Sequence, residues 1–335
     1  MTCDLLHPSR RLDRPKISLI CTVASADCKG VPLVKQDAAK AAAFETAKKR
    51  PGNRRMATVT SVYSVDRYMR TADSIVAALF REEPDLVTPT AKRPRPQNKN
   101  TTAHLPTIEI DGDVAVRISG IHEGTAWLAG QVESRIGDDQ TLVVVMDGQE
   151  ALWDAAENHL GFDERRVSIL DFLHAAVYVW EAAALFHHDR AGREAFTRKR
   201  LLSLLRGEVN GVIRGLRRMG SIQNLCGEPL KDLTRIAGYL EKHRTRMKYD
   251  EYLREGYPIA SGVIEGACRH LVKDRMERSG MRWTLEGARS MLNVRAVFQS
   301  EHWETFQTKR VTKLSEAAHP LRNLVNDYQP LSLAC

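Results

Sequence analysis

Glu265 lies in Tyr257-Pro258-Ile259-Ala260-Ser261-Gly262-Val263-Ile264-Glu265-Gly266, where Pro258 and Ser261 mark a helix entry; Ser279-Gly280, further on, marks a helix stop. One helix of about four turns is expected between them. On a helical wheel Ile264, Cys268, Leu271 and Val272 form its core stripe, Glu265 sits at the stripe's edge, and Arg269 and Lys273 stand beside it. Such a glutamate is either a first-turn acid favoured by the helix dipole or paired with Arg269 one turn on, or a metal ligand on a rigid element next to cations that hold an anionic polymer. Acids upstream decide between these. Asp27 ends the apolar, β-branched run 16–26, and Asp147 ends Thr141-Leu142-Val143-Val144-Val145-Met146. Each is placed at the C-terminal end of a buried strand, where α/β sheets gather their chemistry. Taken alone, Asp147 is equally readable as a turn or cap residue at a strand–helix junction.

Two aspartates and a glutamate brought together would repel one another unless divalent cations neutralised them, and hard oxygen ligands suit Mg²⁺ or Mn²⁺. Two such ions about 4 Å apart activate an attacking oxygen and stabilise the leaving oxygen of an in-line phosphoryl transfer. The three acids are far apart in the chain, so neighbouring parallel strands and a covering helix must gather them. Asp111, the rival first acid, lies too close to Asp147 to leave room for the elements between.

Those elements are legible in outline. Val31–Val34 is a short strand-like piece, 37–50 is a helix or a basic arm, Met56–Val65 alternates as a half-buried strand, and Thr71–Phe80 has helical period. Residues 84–107, rich in proline with Lys92, Arg93, Arg95 and Lys99, form an extended basic connector or a disordered loop. Ile108–Ser119 suits a hairpin turning at Asp111-Gly112, Gly124–Arg135 a helix, and Glu150–His159 an amphipathic helix after the Asp147 strand. Arg166–Leu170 is a further short strand, followed by Asp171 and a helix to Phe186 that Asp171 caps, with His174 in its first turn. From there to Lys248 the chain is helical and basic, with Leu201, Leu202, Leu204, Leu205, Val209, Val212, Ile213 and Leu216 as the core face of Lys199–Met219. A helix Leu285–Phe298 follows Trp283, and Trp303 and Phe306 are expected against the core.

With 50 Lys+Arg against 42 Asp+Glu the chain carries +8, which favours a polyanionic partner. The excess concentrates between Arg193 and Arg218, so Arg198, Lys199, Arg200, Arg214, Arg217 and Arg218, with Arg269 and Lys273, are candidate DNA contacts or simply a solvated face. Trp180 either stacks on a flipped base or packs with Val177 and Ala184. Six scattered cysteines without a metal-ligand spacing fit a reduced cytoplasm. The N-terminus lacks signal-peptide features, and the most apolar run, Ala175–Phe186, is broken by Glu181, so no membrane association is expected.

Taken together, Ala26-Asp27-Cys28-Lys29-Gly30-Val31-Pro32, Val145-Met146-Asp147-Gly148 with Leu152-Trp153, Asp171-Phe172-Leu173-His174-Ala175 with Trp180-Glu181-Ala182-Ala183, and the stretch from Tyr257 through Met281-Arg282-Trp283 resemble the catalytic region of ISKra-four-type insertion-sequence transposases, over residues 17–308. The resemblance implies an α/β, RNase H-like mixed sheet flanked by helices: its first part in 1–170, a helical insertion in 171–256, the catalytic and C-terminal helices of the core in 257–310, and a tail in 311–335. It implies a D-D-E triad of Asp27, Asp147 and Glu265 on two Mg²⁺ (or Mn²⁺) ions, cleaving and rejoining double-stranded DNA at transposon ends. The protein would act as a homo-oligomer on DNA, in the cytoplasm at the nucleoid. Asp171 and His174 match a D-x-x-H signature at the periphery of the site, near Trp180. Two features depart from the family. Cys28 stands where a glycine is usual, so a side chain would crowd the metal-binding turn, and the chain begins shortly before the first strand, where relatives carry a DNA-recognition region. The alternative expectation is therefore a truncated, inactive remnant that binds DNA without cutting it.

Overall fold

The structure, a computed structural model, describes residues 20–42, 52–82, 93–111, 114–161, 164–278 and 280–319. Its centre is a mixed five-stranded sheet in the order β3-β2-β1-β6-β7, built from β1 (Ile20–Pro32), β2 (Arg54–Asp66), β3 (Gln97–His104), β6 (Thr141–Met146) and β7 (Arg166–Leu170). The first three strands run antiparallel, and β6 and β7 lie parallel to β1. A separate hairpin pairs β4 (Thr107–Asp111) with β5 (Val114–Ile118), which places Asp111 outside the main sheet.

Strand β6 is an apolar run from Leu142 to Met146, and β1 is buried from Cys21 to Ala26, because both faces of the sheet are covered there. On one face Ala24, Ala26, Val62, Leu142, Val144 and Met146 pack against Leu128 and Val132 of α3 (Gly120–Glu133) and Leu152, Trp153 and Ala156 of α4 (Glu150–His159). The opposite face is covered in two sections. Cys21, Val23, Val143, Val145 and Ile169 meet the helices between β7 and Gly262, namely α5 (Phe172–Phe186), α6 (Arg190–Leu205), α7 (Val209–Ile222), α8 (Gly227–Lys242), a 3₁₀ turn (Arg244–Arg246) and α9 (Tyr249–Arg254). Further along the same face Val31, Leu33, Ala57, Val59 and Ala103 pack under α10 (Gly262–Cys268), a π turn (Arg269–Lys273), α11 (Asp274–Met276) and α12 (Leu285–Gln299). Each fully buried aliphatic side chain here is worth about 1.5–3 kcal/mol. Asp27 lies on this face between Val23 and Val31, where the two sections meet. The remaining helices are α1 (Lys35–Ala42), α2 (Ala72–Leu79) and α13 (Trp303–Ala318).

Several expectations need correction. The first strand does not stop at Asp27 but continues in register with β2 to Pro32, taking in the first half of the separate piece placed at Val31–Val34. The connector at 84–107 contains a strand: Gln97-Asn98-Lys99-Asn100-Thr101-Thr102-Ala103-His104 has no hydrophobic period because β3 is an edge strand, and only Thr101, Thr102 and Ala103 are buried. Lys199–Met219 is two helices, α6 and α7. The chain breaks at Gly207, whose φ of +77° is left-handed and whose Cβ would stand 2.6 Å from Asp250 Oδ1. The helix after Ser261 is interrupted by its π turn, a distortion that concentrates at functional sites. Helix α13 buries none of its residues, and Trp303 is 38% exposed, so Trp303 and Phe306 stack on one another rather than on the core. The expectations for 16–19, 43–50, 84–92 and the tail from 320 lie outside the described residues. No described helix is long and apolar enough to cross a membrane.

Candidate active site

Register alone brings the aspartates level. Ala24 pairs with Val144 and Met146 with Leu170 in the two parallel ladders, so three steps beyond the first and one beyond the second set Asp27, Asp147 and Asp171 side by side. Asp171 continues the ladder by donating its N–H to the Met146 carbonyl at 2.8 Å. Because side chains alternate along a strand, Asp27 points to the face of Val23 and Val31, and Lys29 shares that face.

Asp27 is held from three directions. Its Oδ1 accepts from the Cys28 amide at 2.6 Å, and Oδ2 lies 3.3 Å from Lys29 Nζ and accepts from the Cys268 thiol at 3.2 Å. Cys28 itself turns to the other face, where its sulfur lies 3.8 Å from Thr58 Oγ1 among the α3 and α4 contacts. Its backbone is ordinary strand, without positive φ, so glycine is not required and the side chain does not crowd Asp27. Burial pushes the Cys28 and Cys268 thiols up, with Asp27 adding to both, so the two sulfurs stay protonated. Lys29 loses some basicity to burial but is held above its usual range by Asp27.

Asp147 sits in a tight turn. Its Oδ1 accepts from the Gln149 amide at 2.9 Å, and its carbonyl accepts from Trp153 Nε1 at 2.6 Å. Arg246 stacks over the Trp153 ring at 4.3 Å. Gly148 is dictated by close approach: a Cβ there would stand 2.3 Å from the Tyr239 ring, which is itself stacked on Tyr178 at 3.7 Å. Burial raises Asp147 above the usual carboxylate range. The Gln149 amide opposes this, and the Asp27 charge adds to it.

Asp171 is wholly buried and caps α5 through the Leu173 amide at 2.7 Å. Its other oxygen accepts from the Ser261 amide at 2.9 Å and from the Ser261 hydroxyl. Phe172 N–H donates to the Ile259 carbonyl at 2.9 Å, so the start of α5 is stitched to the segment that leads into α10. The far side of that segment is pinned by Tyr68 N–H to the Gly256 carbonyl at 2.9 Å and by Arg70 to the Tyr257 carbonyl at 3.0 Å. Burial would raise Asp171, but His174 and the two Ser261 donors outweigh it and hold the carboxyl below its usual range. His174 is raised, by Asp171 first and by Asp147 and Asp27 as well, against the effect of burial. Its Nδ1 stands 3.6 Å from Asp171 Oδ2, which is an ion-pair distance and too long for a hydrogen bond.

Glu265, four residues after Ser261, is exposed and has no ion-pair partner among the described residues. Arg269 turns instead to Asp274 at 3.6 Å, so the reading of Glu265 as a simple helix ion pair does not hold. The ligand atoms of Asp171, His174 and Glu265 all lie within 4.8 Å of one another, the one such group among the described residues. At the helix's far end Trp283 forms a parallel bridge with Leu33, its N–H donating to the Pro32 carbonyl at 3.0 Å. The Met281-Arg282-Trp283 block thus anchors the helix to the end of β1.

Asp27 and Asp147 are level by register and their charges reach His174, but among the described residues Glu265 groups at ligand distance with Asp171 and His174 rather than with Asp27 and Asp147. Lys29, Ser261 and Cys268 were not read from the sequence as site residues. Strand period places Lys29 beside Asp27, and the i, i+3 relation places Cys268 beside Glu265. Trp180 is not buried: it is 38% exposed, its ring centroid lies 6.0 Å from that of Phe80, and Val177 and Ala184 are exposed on the same helix face. Of the basic candidates, Arg198 pairs with Glu82, Arg217 pairs with Glu241, and Arg200 lies over the Phe196 ring. Lys199, Arg214, Arg218 and Lys273 are exposed without an acidic partner among the described residues. No protein-family model and no curated protein matches the chain.

Proposed function

We propose that the chain is the catalytic region of a DNA transposase with an RNase H-like core, cleaving and joining phosphodiesters at transposon ends with divalent metal ions. The observation that carries this reading is the level alignment of Asp27, Asp147 and Asp171 across three parallel strands, with Glu265 of the covering helix beside Asp171 and His174. A mixed sheet flanked by helices, with five helices inserted before the helix that bears Glu265, supports the same reading.

The donor set suits divalent cations: Glu265 groups with Asp171 and His174, and Asp27 and Asp147 stand level on the neighbouring strands, with Lys29 and His174 as the nearby counter-charges. Asp27, Asp147 and Glu265 would hold the ions. When bound there, two metals activate the attacking water or 3′-hydroxyl and stabilise the leaving oxygen. The chain's own groups do the positioning. Asp171 fixes Ser261 and so the start of α10, while Lys29 stands on the face of Asp27, within reach of a phosphate oxygen. Beside α10 runs a groove of about 820 Å³ with Arg95, Lys99, Arg135, His270 and His302 in its walls. It continues past Arg95 and Gly262 into a second one bearing Arg70 and Arg93. A basic groove of this kind suits a nucleic-acid backbone.

With a duplex ending in a transposon terminus, the full chain is expected to yield cut and then joined strands in Mg²⁺ or Mn²⁺, and neither in EDTA. Binding to the duplex without any cut product in either metal would favour the inactive remnant. Cut strands that are never joined would leave a nuclease.

A further inference from the structure

We propose that His174 is itself a metal ligand, sharing one divalent ion with Glu265, and that this nitrogen donor gives the site a preference for Mn²⁺ over Mg²⁺. The inference deepens the metal-dependent reading above and rests on it for the presence of an ion. Three observations independent of that reading carry it.

The first is proximity, since ligand atoms of His174, Glu265 and Asp171 come within 4.8 Å of one another. The second is a set of unused donors. His174 Nδ1 faces Asp171 Oδ2 at 3.6 Å, its Nε2 has no partner among the described residues, and the Glu265 carboxylate has no ion pair there although Arg269 stands one turn away. An imidazole oriented by a carboxylate at one nitrogen presents the other to a metal. The third observation separates the roles of the three residues. Asp171 Oδ2 already accepts two hydrogen bonds from Ser261, and Oδ1 accepts one from Leu173. Asp171 is therefore a positioning residue that orients His174 and anchors Ser261 ahead of Glu265, as outer-shell carboxylates do for ligating histidines. His174 and Glu265 ride on two different helices, α5 and α10, which Asp171 and Phe172 stitch together at their starts. An ion held by both would lock the insertion to the helix that carries Glu265.

Mn²⁺ also favours oxygen donors but, as a transition ion, accepts an imidazole nitrogen more readily than Mg²⁺, which keeps to oxygen donors and water, so the nitrogen tilts the site toward Mn²⁺. The test uses the full chain and the metals alone. In Mn²⁺-loaded wild type, electron spin-echo modulation should show a directly bound nitrogen. In His174→Gln that modulation should vanish, Mn²⁺ affinity by calorimetry should fall about 10- to 100-fold, and Mg²⁺ affinity should change far less. Absence of nitrogen modulation in the wild type overturns the proposal without need of a variant. Its persistence in His174→Gln, or equal losses of both metals, overturns it as well. Failure of the transposase reading would look different: DNA would stay uncut while the nitrogen signal remained.

Discussion

Asp147→Asn is expected to abolish metal-dependent strand cleavage, a loss of at least about 10³-fold, because a residue that positions a metal supplies several kcal/mol in the transition state. The same variant should leave the metal-free fold as stable as wild type or more so. Asp147 is raised above the ordinary carboxylate range by burial and by the Asp27 charge, so its ionised form is disfavoured in the folded protein. The linkage follows from that direction: as pH rises above 3.8, the carboxyl's unfolded value, and through its higher folded value, ionisation costs the fold stability. Asparagine removes that cost and keeps an oxygen for the Gln149 amide. Thermal melts in EDTA and a cleavage assay in Mg²⁺ read the two effects separately. A variant that melts earlier while cutting normally would reverse the assignment.

Asp171→Ala should do the opposite to stability. The carboxylate is fully buried and accepts from Leu173 N–H, Ser261 N–H and the Ser261 hydroxyl, so its removal strands three donors and uncaps α5. The expected loss is about 3 kcal/mol, within the range for breaking a buried charged network. The pH dependence carries its own sign. Asp171 is held below its usual range, so its contribution is present above 3.8 and is lost as pH falls through the lower folded value. Urea unfolding at neutral pH and again near pH 3 should therefore show the gap between wild type and variant shrinking in acid. A loss under about 1 kcal/mol at neutral pH would mean that Ser261 and Leu173 find other acceptors.

How much of the fold is legible in the sequence follows from what each residue's neighbours are. β6, α4 and β7 matched at their boundaries because an unbroken apolar run, an amphipathic helix and a short strand each carry a local signal. β3 did not, since an edge strand with threonine and asparagine has no local period to read. The strand end that singles out Asp27 is absent: the apolar run is real, but β1 goes on pairing with β2 past it. Glu265 was correctly placed at the edge of the helix's core stripe. That Arg269 turns to Asp274 instead, across the π turn, is a tertiary fact that helical spacing could not give. Asp171 was read as a helix cap, which it is. Its second role, anchoring Ser261 from 90 residues away, depends on a long-range contact invisible to any window of sequence. Cys28 looked like a defect only because its pairing with Thr58 on the far face of the sheet could not be foreseen.

The central claim is that Asp27, Asp147 and Glu265 surround divalent metal. Anomalous scattering from Mn²⁺ soaked into crystals of the full chain tests it without any DNA. Density bounded by these three carboxylates is expected, between Asp27 within β1, Asp147 just past β6 and Glu265 on α10, and it should disappear in Asp147→Asn. Mn²⁺ bound elsewhere on the molecule, with none between Asp27 and Asp147, would contradict it.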